Sequence, residues 1–267
     1  MSKTVLACGV SSGLGQVVAE HLRDAGFSVF GTMRDPSGAP PTTPFPVVPM
    51  DVTSEESVAA CLEEVTRQAG RIDVVINCFN EMILGTVEET PMKEVESLYD
   101  VNLFGVIRVC RQVLPIMRRQ GGGTIINMSS LGGLLAVPHL SAYTSAKFAI
   151  EAFSEALYHE LRGEPIDVVI MQPVAMRMDR PEVGSHLKPA QNLPADSATH
   201  RMIARMGQDS RESGLTPQAV AEEIQRVILL DKKPLRRPMD RAKALTWVKR
   251  LAPQAVIDRM IAGLLGG

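Results

Sequence analysis

Tyr143-Thr144-Ser145-Ala146-Lys147 sets a phenol and an ammonium four residues apart, so on a helix both point to one side. Upstream, Asn127-Met128-Ser129-Ser130 offers hydroxyls at the carboxyl end of an expected strand, where the sites of α/β proteins gather. These residue types suit proton transfer to and from a carbonyl oxygen. A free phenol, with a pKa of about 10, is a poor relay at neutral pH, and a nearby cation corrects this by favouring the phenolate. Lys147 is therefore expected to lower the Tyr143 pKa while the hydroxyl of Ser130 or its neighbour Ser129 polarises the substrate oxygen. Tyr143 then acts as acid in reduction and as base in oxidation.

A second constellation, Gly9-Val10-Ser11-Ser12-Gly13-Leu14-Gly15, follows the first strand candidate and opens a helical stretch. Glycines there let the backbone turn tightly and approach a pyrophosphate, whose charge the helix N-terminus favours. The ribose end of a dinucleotide is read by charge: a carboxylate suits the free hydroxyls of NAD and a guanidinium the 2′-phosphate of NADP. At the end of the second strand Gly31-Thr32-Met33-Arg34-Asp35 offers a guanidinium, and Arg34 with Ser12 suits a phosphate. NADP(H) is favoured over NAD(H); the other reading of Arg34 is a loop charge paired with Asp35.

Alternating patterns supply the frame. Strand candidates fall at 4–8, 28–32, 46–50, 73–77, 123–128 and 167–171, and helical periodicity at 15–25, 55–68, 95–118 and 142–161. Such alternation predicts βα units wound into a parallel sheet. Thr216-Pro217 predicts a helix start with Thr as N-cap, running to Leu230. Residues 35–46 read as a loop, and 177–213, without clear period, as a lid. With 267 residues and 45% hydrophobic composition, one domain spanning 1–267 is expected.

The order and spacing of these motifs resemble the classical short-chain dehydrogenase/reductase family, in particular its 17β-hydroxysteroid and retinol dehydrogenase-like members. The resemblance implies a doubly wound, Rossmann-like α/β fold with a central parallel sheet of about seven strands. Gly9, Gly13 and Gly15 match the family's glycine motif, with Cys8 where a threonine is usual. It implies a coenzyme site of Gly9, Ser11, Ser12, Gly13, Leu14, Gly15, Arg34, Asp51, Val52, Asn77, Cys78, Phe79, Tyr143, Lys147, Pro173, Val174 and Met176. Asp51 would contact the adenine; read alone, it equally caps the following helix. Lys147 would hold the nicotinamide ribose, and Asn102 would anchor a water linking Lys147 to solvent, the other reading being an Asn that kinks its helix. The interval to Tyr143 matches that family's at Ser130, with the neighbouring Ser129 hydroxyl as the alternative. Two segments depart from the family pattern. Asn77-Cys78-Phe79-Asn80 stands for N-N-A-G, so Phe79 either reshapes the pocket or turns into the core. Val174 and Met178 replace a glycine and a threonine that serve the nicotinamide end.

The apolar Leu131, Leu134, Leu135, Val137 and Pro138, with Met176, Met178, Val183 and Leu187, predict a lipophilic carbonyl or alcohol substrate and ketoreductase chemistry. A formal charge of -2 gives no reason to expect nucleic acid. His139, His186 and His200 have no metal-ligand spacing, and the four cysteines read as reduced thiols in a cytoplasmic protein. By resemblance a homodimer or homotetramer is expected. The extension 232–267 is basic and amphipathic, suited to packing on the body or to peripheral membrane contact. A second function class stays open: a dinucleotide fold repurposed as a binding or regulatory module, or for a non-redox step.

Overall fold

Strands that are apolar on both faces belong inside a parallel sheet covered by helices, and Thr4–Cys8 is buried at every position. The computed structural model describes residues 2–11, 13–40, 42–177 and 188–265. Along the chain it forms β1 (Thr4–Cys8), α1 (Gly13–Asp24), β2 (Ser28–Met33), β3 (Val47–Pro49), α2 (Glu55–Ala69), β4 (Val74–Asn77), β5 (Ile83–Leu84), α3 (Met92–Tyr99) and α4 (Gly105–Arg119). There follow β6 (Gly123–Met128), α5 (Ser141–Glu160), β7 (Ile166–Gln172), β8 (Lys188–Pro189), α6 (Ala198–Ser213), α7 (Pro217–Leu229), β9 (Arg236–Pro238), α8 (Arg241–Leu251) and α9 (Gln254–Leu265).

Seven strands form one parallel sheet in the order β3-β2-β1-β4-β6-β7-β9, the doubly wound arrangement expected. The pleat sorts β1 between two cores. Val5 and Ala7 face α1 and α7, whereas Leu6 and Cys8 face α2 and α4. Chain direction across the sheet reverses between β1 and β4, which opens a crevice beyond their carboxyl ends. A separate pair, β5 and β8, joins Ile83 to Lys188.

Local chemistry explains the helix ends. Ser54 caps α2 by accepting from the Ser57 N–H, and Gly70 closes it in the left-handed region at φ 76°. Thr216 accepts from the Ala219 N–H with Pro217 in the first turn of α7, as the sequence predicts. Three expectations need correction. The helix expected over 95–118 is two helices joined by a π-helical turn at Asp100–Phe104. Residues 177–213, expected to be irregular, contain β8 and α6; α6 presents so polar a surface that its period is hard to read. The seventh strand is β9, inside the basic extension, where three residues carrying two arginines give no strand pattern and only pairing with β7 defines them.

Candidate active site

The glycine loop turns where only glycine fits. Gly9 has φ 92°, and the Gly9 and Val10 N–H groups both donate to the Thr32 carbonyl, at 3.1 and 2.9 Å. A Cβ on Gly9 would stand 2.8 Å from the Phe79 nitrogen, and one on Gly15 would collide with the Gly9 carbonyl oxygen. The loops after β1 and β4 thus meet closely at Gly9 and Phe79, and Gly13 and Leu14 open α1 directly at the crevice. No acidic residue occupies the first turn of α1, so nothing there repels an anion. Ser11 is exposed beside it; Ser12 lies outside the described residues.

Along the crevice, Arg34 is exposed at the end of β2 and acts electrostatically on Asp51. Burial raises the Asp51 pKa, but hydrogen bonds from the Thr53 N–H and hydroxyl, with Arg34 and Arg108, bring it below the usual range. Asp35 is not the partner of Arg34; it accepts from Ser37. Nor does Asp51 cap α2, since Ser54 does. Val52 is buried and its carbonyl accepts from Arg108. Phe79 turns towards the core: its ring lies beside Val52 and against Gly105, where an added Cβ would stand 3.1 Å from the Phe79 Cε2. Asn77 Nδ2 donates to Asn127 Oδ1 at 2.8 Å, while the buried Asn77 Oδ1 and Asn80 Oδ1 have no partner. Unpaired acceptors beside a glycine cradle fit a polar ligand such as a nicotinamide dinucleotide. Pro173 and the buried Val174 follow β7, and the Pro173 carbonyl accepts from the Leu131 N–H. Met176 bridges to Leu215. Met178, Val183, His186 and Leu187 lie outside the described residues.

The proton-transfer candidates meet where β6 ends against α5. Ser130 opens a 3-10 turn, Leu131–Gly133, its Oγ accepting from the Gly132 N–H at 3.1 Å. The turn sits tight on α5 because glycines form it. A Cβ on Gly132 would stand 3.1 Å from Tyr143 Cε1, and one on Gly133 2.5 Å from Ser129 Oγ. Burial pushes the Tyr143 phenol up to about 12, opposed by a hydrogen bond from Ser130. Ser129 Oγ is buried without a partner and makes no such bond. Lys147 lies 5.6 Å from the centre of the Tyr143 ring and donates to the Met128 carbonyl at 2.9 Å. Burial pulls its pKa down to about 8, against the upward pulls of Cys78 and Glu151. Desolvation, and not the ammonium, therefore sets the phenol's direction here, opposite to the lowering expected from the sequence.

Asn102 sits in the π turn, 1% exposed. Its amide clamps Glu81, accepting from the Glu81 N–H and donating to the Glu81 carbonyl, both at 2.7 Å. Sequence reasoning missed Gly132, Gly133 and the buried Glu151, although Tyr143, Lys147 and Glu151 recur every fourth residue on one helix face. His139 has φ 63° and its Nδ1 meets Thr199 Oγ1 at 2.7 Å, tying the loop before Tyr143 to α6. The cysteines are free and buried, and among the described residues no His, Cys, Asp or Glu cluster is arranged to hold a metal. A groove of 660 Å³ between α2 and α4, lined by Leu62, Arg67, Arg111 and Ile116 among others, is remote from this chemistry.

Fold and glycine crevice together define a dinucleotide-fold oxidoreductase, with Ser130, Tyr143 and Lys147 as its candidate proton-transfer residues. Residues 3–182 match the short chain dehydrogenase family, and the chain belongs to it. It is 40% identical over 169 residues to 3-ketodihydrosphingosine reductase of Bacteroides thetaiotaomicron, covering 63% of this chain and 62% of that one. Retinol dehydrogenase 8 of Bos taurus is 32% identical over 253 residues, covering 88% of this chain and 80% of the relative. The crystal structure of a short-chain dehydrogenase from Streptomyces avermitilis superposes with a TM-score of 0.81 at 30% identity, covering 98% and 94% of the two chains. Solved structures of the same fold include one in complex with NAD and one in complex with NADP.

Proposed function

We propose that the protein is an NADP(H)-dependent oxidoreductase that interconverts a carbonyl and a secondary alcohol on a lipophilic small molecule. The observation that carries this reading is the buried cluster in which the Ser130 turn packs on Tyr143, a Cβ on Gly132 standing 3.1 Å from Tyr143 Cε1, while Lys147 lies 5.6 Å from the centre of the ring. When bound, the coenzyme supplies or accepts the hydride. The glycine loop and the α1 N-terminus would hold its pyrophosphate, Asp51 and Val52 its adenine, and Asn77, Cys78, Pro173, Val174 and Met176 its nicotinamide end. Arg34, with no acid at positions 32 and 33, supports the phosphorylated coenzyme.

Tyr143 gives its proton to the developing alkoxide in reduction and takes it back in oxidation. Ser130 holds the oxygen on the other side, where a preorganised donor is worth most in a site closed to water. A phenol held near 12 is a strong enough base once deprotonated but needs a cation to reach that state, the part assigned to Lys147. Asn102 fixes the backbone at Glu81, which secures the loop running from β4 towards α3.

A lipophilic substrate is supported by Leu134, Val137 and Pro138 on the loop before Tyr143 and by the two relatives, whose names point to a long-chain ketone and a retinoid. Leu131 and Leu135 are instead covered by Leu245, Ile257 and Ile261 of α8 and α9, so the C-terminal helices back the Ser130 loop. Residues 177–213 we read as the lid. On α8, Trp247 and Leu251 are 64% and 74% exposed beside Lys243, which supports peripheral contact with an anionic bilayer. On α5, the part-exposed Phe148 and Tyr158 support assembly into a homodimer or homotetramer. Flotation with anionic vesicles and light scattering test these two.

The central test follows reduced-coenzyme absorbance with long-chain and polycyclic ketones. Tyr143→Phe should abolish turnover, by about a thousandfold or more, with coenzyme binding nearly intact. Wild-type turnover in that variant overturns the reading. Arg34→Ala should weaken NADP(H) binding and spare NAD(H); unchanged preference overturns the coenzyme assignment.

A further inference from the structure

Glu151 is a buried carboxylate that the chemistry above does not use. It lies one turn beyond Lys147 on the same face of α5 and is 6% exposed. Its two oxygens are held from two neighbouring strands. Gln172 Nε2, at the end of β7, donates to Oε1 at 2.9 Å, and Arg236 Nε, in β9, donates to Oε2 at 3.0 Å. Arg236 also reaches Glu155 at 2.9 Å. Gly133 abuts the same spot, since a Cβ there would lie 3.2 Å from both Glu151 Cγ and the Lys147 carbonyl oxygen. Taking a carboxylate out of water is costly, and well-packed apolar side chains would join α5 to the sheet as well or better. A fixed charge needs some other account.

Lys147 provides one. The residue is 2% exposed, and its ammonium makes no ion pair among the described residues and has one neutral acceptor, the Met128 carbonyl. The ionisable groups that act on it are Tyr143 and Glu151 from its own helix and Cys78 from the end of β4. Cys78 is a buried thiol pushed up to about 12 and so neutral near pH 7. Glu151 is thus the fixed anion available to the lysine. The groups facing Glu151 are Lys147, Gln172 and Arg236, with Glu155 on the far side of Arg236.

We propose that Glu151 is a positioning residue: clamped by Gln172 and Arg236, its carboxylate keeps the buried Lys147 charged, and β9 thereby serves the proton relay from outside the family-matched segment. Arg236 opposes it by drawing off part of that negative charge. The proposal rests on the reading of Tyr143 and Lys147 as the proton-transfer pair, but its test does not require turnover.

The experiment is a pH titration of the lysine ¹³Cε resonances in the full chain, with Lys147 assigned from Lys147→Arg. Glu151→Gln keeps the amide contact and removes the charge; the Lys147 midpoint should fall by about one pH unit. Arg236→Met leaves the carboxylate unneutralised, and the midpoint should rise. Opposite shifts are the signature, because a purely structural contact would loosen the same helix in both variants. Where substrate is turned over, the alkaline limb of kcat/KM should move with each midpoint. A Lys147 midpoint unchanged in both variants, or moved the same way in both, overturns the proposal. If Glu151→Gln does not fold, the direction in Arg236→Met decides alone. Failure of Tyr143→Phe to lose activity would instead overturn the functional reading and leave the titration result standing.

Discussion

Replacing Lys147 by methionine should make the protein more stable at pH 7 while removing its turnover. Burial pulls the lysine from its ordinary 10.5 to about 8 in the folded chain. The unfolded chain keeps the ordinary value, so between about pH 8 and 10.5 it holds a proton that the folded chain does not, and stability rises with pH across that window. The shift corresponds to about 3 kcal/mol, at ~1.4 kcal/mol per unit, lost to the folded state at every pH below about 8. Methionine fills similar space without charge but leaves the Met128 carbonyl, now 2.9 Å from the ammonium, without its donor. That omission offsets about 1 kcal/mol. The expected net gain is about 2 kcal/mol at pH 7, shrinking to nearly nothing at pH 10, where the penalty in the parent has itself mostly gone. Urea denaturation of both chains at the two pH values reads this directly. A variant less stable than the parent at pH 7, or a difference that does not change with pH, refutes the account of Lys147 as a charge held against desolvation.

Gly15→Ala forces a methyl against the Gly9 carbonyl oxygen, a backbone atom. Coenzyme affinity, by fluorescence titration, should fall on the order of a hundredfold, with roughly 1–3 kcal/mol of stability lost to overpacking. Gly132→Ala presses more gently, 3.1 Å from Tyr143 Cε1 and 3.3 Å from Thr144 Cγ2. Steady-state kinetics should show kcat reduced roughly tenfold to a hundredfold through a displaced phenol, with thermal unfolding changed little.

What could be read from residue order was whatever depends on neighbours in the chain. The glycine loop, the spacing of Tyr143 and Lys147, and six of the seven sheet strands carry their own local periods and turns. The rest depends on partners far away. Nothing in Arg236–Pro238 says strand until Ile170 pairs with Arg236 and Gln172 with Pro238. The π turn holding Asn102 is inserted within an otherwise continuous helical pattern, and the clamp on Glu81 that accompanies it spans a long separation in sequence. The Tyr143 direction differs from the sequence expectation because an i,i+4 ammonium is visible in sequence, whereas burial of both groups is a property of the packed fold.

The sheet itself explains why polar chemistry can exist in so apolar a core. Along β1, β4, β6 and β7 most middle positions are buried aliphatics, yet β4 ends on Asn77 and β7 on Gln172, with Asn127 of β6 beside Asn77 in register. Parallel pairing brings these ends to one edge, so the polar residues need not be neighbours in sequence to meet. There Asn127 takes Asn77 on one side and Ser154 of α5 on the other, at 2.8 and 2.9 Å, while Gln172 takes Glu151. Both contacts fasten the same helix, and that helix carries Tyr143 and Lys147. A side-chain network at a sheet edge thus sets the height of α5 over the crevice to within a hydrogen bond, the tolerance that proton transfer demands. The apolar body of the sheet supplies stability; its polar rim supplies the geometry.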